Sequence, residues 1–249
     1  MKTLTDLGVQ SFCFRDFKDN AEVAAKVSEL GLNKIEVCGV HADFNDLKSW
    51  KKILKTYEDN AISVVSIGVQ TFTGEDSEEA WFESAIMAGA KHISAHFAVD
   101  SFTKTIEKVR NWCQKYEVKI GIHNHGGYAF GGQFEVMTHL IELGSPEIGL
   151  CLDTAWCLQI GPHQGKPEEW VETFHENLYG VHFKDFTFDS NGQWHDTVIG
   201  EGNLDFPLFM KTLHKHNFEG IGILEFEGNP SNPVPELKLC LEKMRPYLG

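Results

Sequence analysis

The chain has 249 residues, and that length predicts one large domain or two small ones, either able to bury a full core. Lys and Arg number 22 against 36 Asp and Glu, a formal charge of −14, which argues against a protein that grips phosphate backbones. No apolar run approaches the roughly 20 residues of a membrane span. The first residues also lack the long apolar stretch and cleavage site of a secretory leader, so a cytoplasmic protein is expected. The six cysteines (Cys13, Cys38, Cys113, Cys151, Cys157 and Cys240) are scattered without a CxxC and are read as buried free thiols.

One pattern recurs along the chain: a short apolar run rich in β-branched residues, then an amphipathic stretch. The runs are Gly8–Phe12, Lys34–Cys38, Ser63–Gly68, His92–Phe97, Lys119–His125, Ile148–Asp153, Tyr179–Lys184 and Gly220–Glu227. Helices are predicted over Asn20–Leu30, Asn45–Asn60, Ser77–Ala88, Phe102–Tyr116, Phe134–Leu143, Pro167–Asn177, Asp205–His216 and Pro235–Tyr247. Eight repeats in this length give about 31 residues each, the size of a βα unit with short loops. Gly31 and Gly89 stand where helices should stop, and Pro167 and Pro235 where they should start. Eight parallel units close most simply into a (βα)8 TIM barrel spanning residues 1–249 as a single domain. The rival is an open doubly wound sheet, which favours a glycine-rich loop after an early strand; the FCFRD segment at 12–16 has no glycine.

Side chains alternate faces along a strand, so each apolar run divides into an outward set and an inward set. With Ile120, Ile122, Leu150, Leu152, Val181, Phe183, Leu224 and Phe226 packed outward, the inward set holds Glu36, Ser94, His96, His123, His125, Cys151, Asp153, His182, Lys184, Glu225 and Glu227. Its polar members gather at the C-terminal ends of the runs, the face on which barrels place their active sites. A lone inward His or Asp is usually a hydrogen-bonded neighbour. His123, Asp153, His182 and Glu225, on four consecutive runs at equivalent depth, instead point to a mixed nitrogen and oxygen metal site. The expectation is one divalent ion, Mn²⁺ ahead of Zn²⁺ or Co²⁺. Glu225 is the first candidate base, with Lys184, His125 or His96 for the second proton. Glu36, His96, Trp156 and Glu227 are candidate substrate contacts, and Phe14, Phe130 and Trp194 are loop aromatics that could line a pocket or simply pack. The GEG segment at 200–202 lacks the Lys and Ser/Thr of a phosphate loop and is read as a turn before Asp205, a helix N-cap; His214 and His216 are expected in solvent.

The words GVQ (8–10), KVSELGLNKIE (26–36), AGAKHISAH (88–96), IHNHGG (122–127), LDTAW (152–156), VHFKD (181–185), GEGNLDF (200–206) and ILEFE (223–227) together resemble the xylose isomerase-like TIM barrels, the sugar phosphate isomerase and epimerase group. The resemblance implies a divalent metal at the ends of strands five to eight, held by Asp153, His182 and Glu225, and proton chemistry beside a carbonyl of a sugar or cyclitol. It also marks a departure: the strand-five ligand is normally Glu, and here it is His123. A His there is shared with keto-inositol dehydratase-like members and with proteins thought to act on 3-keto sugars. A symmetric two-glutamate mechanism is therefore closed to this chain, and the expected activities are a metal-dependent isomerase or epimerase and, as the alternative, a lyase acting on a keto-inositol or 3-keto sugar. A barrel that only binds a sugar is the third reading, disfavoured by the cost of so many inward ionisable groups. The DNA-repair endonucleases of the group are a poor match, because Trp156 and the Trp194-His195-Asp196 segment break their ligand words. The expected partner is a small sugar or cyclitol, with no nucleic acid and no membrane; a homo-oligomer stays open.

Overall fold

The computed structural model describes residues 7–126 and 129–248. Gly127, in the IHNHGG word, and residues 1–6, within the stretch read for a leader, lie outside it. Four aspartates start helices by accepting a backbone N–H: Asp19 for α1 (Asn20–Glu29), Asp46 for α2 (Leu47–Asp59), Asp153 for α6 (Thr154–Gln159) and Asp205 for α8 (Phe206–Lys215). The remaining helices are α3 (Glu79–Ala88), α4 (Phe102–Tyr116), α5 (Phe134–Gly144), α7 (Pro167–Phe174) and α9 (Val234–Met244). Gly31 and Gly89 follow α1 and α3 at φ of 74° and 72°, a left-handed conformation that only glycine takes without strain.

Strands β1 (Leu7–Gln10), β2 (Lys34–Val37), β3 (Ser63–Phe72), β4 (His92–Phe97), β5 (Lys119–His123), β6 (Ile148–Asp153), β7 (Leu178–Phe183) and β10 (Ile221–Leu224) form a closed parallel barrel, β1-β10-β7-β6-β5-β4-β3-β2. The chain is therefore the expected single-domain TIM barrel. Ile120, Ile122, Leu150, Leu152, Val181, Phe183 and Leu224 face outward and are buried against the helices, each contributing about 1.5–3 kcal/mol of burial. All six cysteines are buried free thiols. Among the described residues, no helix is long and apolar enough to cross a membrane.

Several expectations are corrected. The first run stops pairing at Gln10 and turns into a short 3-10 helix, Ser11–Phe14, while the third extends to Phe72. The helices expected to end at Asn177 and Tyr247 finish in 3-10 turns. Phe14 sits in the main core and Phe130 packs on Phe102, the packing alternative already allowed for both. His216 is half-buried and paired with Glu172 at 2.7 Å, whereas His214 is exposed as expected.

Two elements lie outside the eightfold plan. Helix α6 leaves β6 directly. After β7 the chain makes an antiparallel hairpin of β8 (Asp185–Phe188) and β9 (Trp194–Thr197) around Gly192. Asp185 anchors the turn beyond the hairpin: its buried carboxylate accepts N–H groups from Gly200, Gly202 and Leu204, each at 3.0 Å. The GEG segment is thus a turn, as read, but a turn built on a carboxylate contributed from outside it. Asp185→Ala is expected to cost about 2–4 kcal/mol in urea unfolding, since buried unpaired donors cost roughly 1–3 kcal/mol each and some of the three are reached by water. Asp185→Asn, with one carbonyl for three donors, should fall between; a neutral Ala variant would refute the anchor.

Candidate active site at the C-terminal mouth of the barrel

The barrel interior is layered. In the lower layer His92 turns inward, its Nδ1 3.0 Å from Ser66 Oγ. Its Nε2 fills space kept open by glycine, since a Cβ on Gly121 would stand 2.4 Å from it. Burial pushes the His92 pKa down to about 4. A depressed histidine stabilises the fold above its unfolded pKa, near 6.5, and loses that stability as pH falls towards 4. In chelator, unfolding free energy should therefore drop between pH 6.5 and 4, and His92→Gln should remove up to about 1.4 kcal/mol per pH unit of that slope. An unchanged slope would show that His92 protonates freely in the fold.

Above this layer four side chains meet. His123 ends β5, Asp153 ends β6, His182 lies in β7, and Glu225 follows β10. Strand register sets Asp153 beside His182 and His182 beside Ile223, which brings the ends of neighbouring strands to one depth. One ligand-capable atom from each lies within 4.8 Å of the others, and all four residues are buried. His123 Nε2 is 3.4 Å from Asp153 Oδ2, and His182 Nδ1 is 2.9 Å from Glu225 Oε2.

The cluster fits a divalent ion by three observations. Both ring nitrogens of His123 and Asp153 Oδ2 are buried with no hydrogen-bond partner, a costly state for a protein interior unless something else satisfies them. The His123–Asp153 and His182–Glu225 separations of 3.4 and 2.9 Å are those of donors sharing one centre at bonds of roughly 2.0–2.2 Å, and a spread of up to 4.8 Å across the whole set would draw in slightly around an ion. Two imidazoles with two carboxylates is a donor set used for zinc and its neighbours, and it gives Mn²⁺ no preference over them, because intrinsic affinity rises from Mn²⁺ to Zn²⁺.

Neighbouring groups hold the donors in place. Asp153 Oδ1 is occupied by the Trp156 N–H at 2.8 Å, which leaves Oδ2 for the cluster. Asn124, the middle residue of His-Asn-His, bonds both backbone groups of Asp153: its Oδ1 accepts from Asp153 N at 2.7 Å and its Nδ2 donates to Asp153 O at 3.0 Å. Thr154 Oγ1 does the same for Lys184. Lys184 itself is fully buried and paired with Glu227, with Asp196 Oδ1 at 3.9 Å. Burial opposes its charge, but Glu225, Asp153, Glu227 and Asp196 outweigh burial and hold the ammonium charged. Burial pushes Asp196 up to about 6. The Glu225 carboxyl is also opposed by burial, yet Lys184 and His182 keep it well below the usual carboxylate range.

A cavity of about 450 Å³ opens over the cluster. His96, His123, His125, Trp156, Glu225 and Glu227 line it, with Gln10, Phe12, Cys38, Val40 and Val69. None of its described lining residues is Lys or Arg. The His125 ring stacks on Trp156 at 4.1 Å, and Trp156 is backed by Phe186 and Trp194 of the hairpin, each at 5.0 Å. Trp194 thus buttresses the wall. Burial lowers the pKa of His125, and that of His96 to about 3, with the neighbouring imidazoles adding to the effect.

The structure brings His96, His125, Trp156, Glu225 and Glu227 to this cavity. Lys184 does not line it: the side chain is buried behind the wall, with Nζ 5.4 Å from the Trp156 ring centroid. Glu36, expected as a substrate contact, is instead fully buried against His182, with Gln10 and Ser94 donating to its Oε1. Sequence reasoning missed Gln10, Asn124, Thr154 and Asp196. Gln10 and Asn124 sat inside quoted words, whereas Asp196 is delivered by the hairpin, whose alternating FTF and NG turn were the available signal.

The family described as xylose isomerase-like TIM barrel matches residues 24–245. The chain belongs to that family. Among curated proteins, an inosose dehydratase of Mesomycoplasma hyopneumoniae (strain 7448) is 23% identical over 165 residues, 60% of this chain and 55% of that protein. The chain thus matches about half the length of this relative. Among solved structures, the IolI protein with a bound zinc atom superposes with a TM-score of 0.78 at 14% identity, over 97% of each chain. D-psicose 3-epimerase in the presence of D-fructose gives 0.73 at 16%, over 98% of this chain and 99% of that one. At such identities the likeness to these two structures shows a shared fold.

Proposed function

We propose that this xylose isomerase-like barrel binds one divalent ion, Zn²⁺, Mn²⁺ or Co²⁺, at His123, Asp153, His182 and Glu225, and isomerises or epimerises an uncharged sugar, keto-sugar or cyclitol. The carrying observation is the buried four-residue cluster with unsatisfied donors, open to a cavity walled by imidazoles, carboxylates and Trp156. When bound, the ion would polarise a substrate carbonyl. Glu225, at the edge between cluster and cavity, takes the proton from the carbon beside that carbonyl. His125, three strands round the barrel from Glu225, moves the second proton. Glu227, held by Lys184, accepts a substrate hydroxyl, and Trp156 covers the apolar face of the ring. An uncharged substrate is favoured by a lining that offers a phosphate no Lys or Arg among the described residues.

The curated inosose dehydratase relative favours a second reading. The same proton is removed by Glu225, and the hydroxyl on the next carbon leaves as water with a proton from His125, making the enzyme a lyase. NMR of keto-sugars and inososes with metal-loaded protein in D₂O tests both. Deuterium at one carbon with the formula retained supports the isomerase or epimerase; loss of water supports the lyase. No exchange with any of them would overturn proton transfer at this site.

A further inference from the structure

We infer that Glu36 is a positioning residue that decides which ring nitrogen His182 presents to the donor cluster; the inference rests on the metal-binding reading above. An imidazole can bind an ion through the lone pair of one nitrogen only, so the other must carry the proton, and whatever accepts that proton sets the tautomer. His182 is enclosed on both sides. Its Nδ1 is hydrogen-bonded to Glu225 Oε2 at 2.9 Å, and its Nε2 lies 3.1 Å from Glu36 Oε1, close but not aligned as a hydrogen bond.

Glu36 is itself fixed. Its Oε1 accepts from Gln10 Nε2 at 2.6 Å and from Ser94 Oγ at 2.7 Å, so β1, β2 and β4 jointly hold a fully buried carboxylate against the site. Those donors satisfy Oε1 of an acceptor-only group that is costly to bury, while Oε2 is buried without a hydrogen-bond partner. The Cys151 thiol also lies against the ring, but a thiol is a weak acceptor beside a carboxylate. When His182 binds an ion, Glu36 would take up Nε2–H and leave the Nδ1 lone pair for that ion. In Glu36→Gln the amide can donate to Nε2, which moves the proton to Nδ1 and takes that lone pair away from the cluster.

The test is Co²⁺ titration of chelator-stripped protein, with affinity from competition against a chromophoric chelator and proton NMR of the Co²⁺-loaded form. Wild type should show a hyperfine-shifted, slowly exchanging imidazole N–H. Glu36→Gln should bind Co²⁺ about 10- to 100-fold more weakly, the usual cost of losing a partner behind a ligand, and should lose the slow N–H line. Cys151→Ala should keep both. Should Glu36→Gln fail to fold, Ser94→Ala retains the charge and removes one of its donors; a severalfold loss and faster N–H exchange are expected. Tight wild-type binding with unchanged affinity and N–H exchange in these Glu36 and Ser94 variants overturns the inference alone, as does a loss confined to Cys151→Ala. A wild-type protein that takes up no Co²⁺ overturns the metal reading and the inference together.

Discussion

Asp153→Asn is expected to weaken divalent-ion binding by on the order of 100- to 1,000-fold while leaving the metal-free fold as stable as the wild type. Four-ligand ions bring roughly 10–16 kcal/mol, so one ligand of four is worth about 2.5–4 kcal/mol. The substitution separates two functions that Asp153 combines. Oδ2 belongs to the cluster, whereas Oδ1 caps α6 through the Trp156 N–H. Asn caps helices as well as Asp does, so the second function survives, and one buried charge is removed. Asp153→Ala should lose both functions and unfold about 1 kcal/mol more readily in chelator. Metal analysis, competition titration and urea unfolding with chelator read the two effects apart. Full metal uptake by both variants would remove Asp153 from the ligand set.

The second large effect separates Glu225 from Glu227. Both residues follow β10, two positions apart, and their carboxylates meet different partners. Glu225 meets His182 in the cluster, and Glu227 meets Lys184 nearer the mouth. Glu225→Gln should weaken metal binding and cut turnover by about 10²- to 10⁴-fold, the usual contribution of a positioned base. Glu227→Gln should bind the ion nearly normally and act through substrate affinity and stability, since Lys184 would keep only Asp196 at 3.9 Å as a charged partner on that side. Competition titration with kcat and KM for each variant distinguishes them; the reverse order of effects would mean that the chemistry is organised around Glu227.

Much of this site is legible in the amino-acid order because parallel strands in a barrel share a direction and a pleat. Alternation alone assigns Ile120 and Ile122 to the helix side and His123 to the interior. It does the same for Asp153, His182 and Glu225, so the convergence of four ligand-capable residues is set once eight βα units are counted. Helix starts are equally local: an aspartate followed by a free N–H caps its helix wherever that helix packs. Depth is not local. Glu36 has the inward parity expected of it, yet it lies against His182, because what it meets depends on barrel register, and that register shifts between Ile35 and Glu36 where β2 meets β3. Lys184 is inward too, but whether it lines a cavity or is sealed behind its wall depends on Glu227 and on Asp196, which arrives on a hairpin. Nor could local pattern show that Asp185 would hold a turn 15 to 19 residues further on, or that Trp194 would back Trp156. Period and capping act over a few residues and are determined by the sequence by itself. Height in the barrel, the partners of buried charges and the aromatic wall are decided only when distant segments close on one another, since each of these contacts requires a neighbour whose position the closed barrel sets.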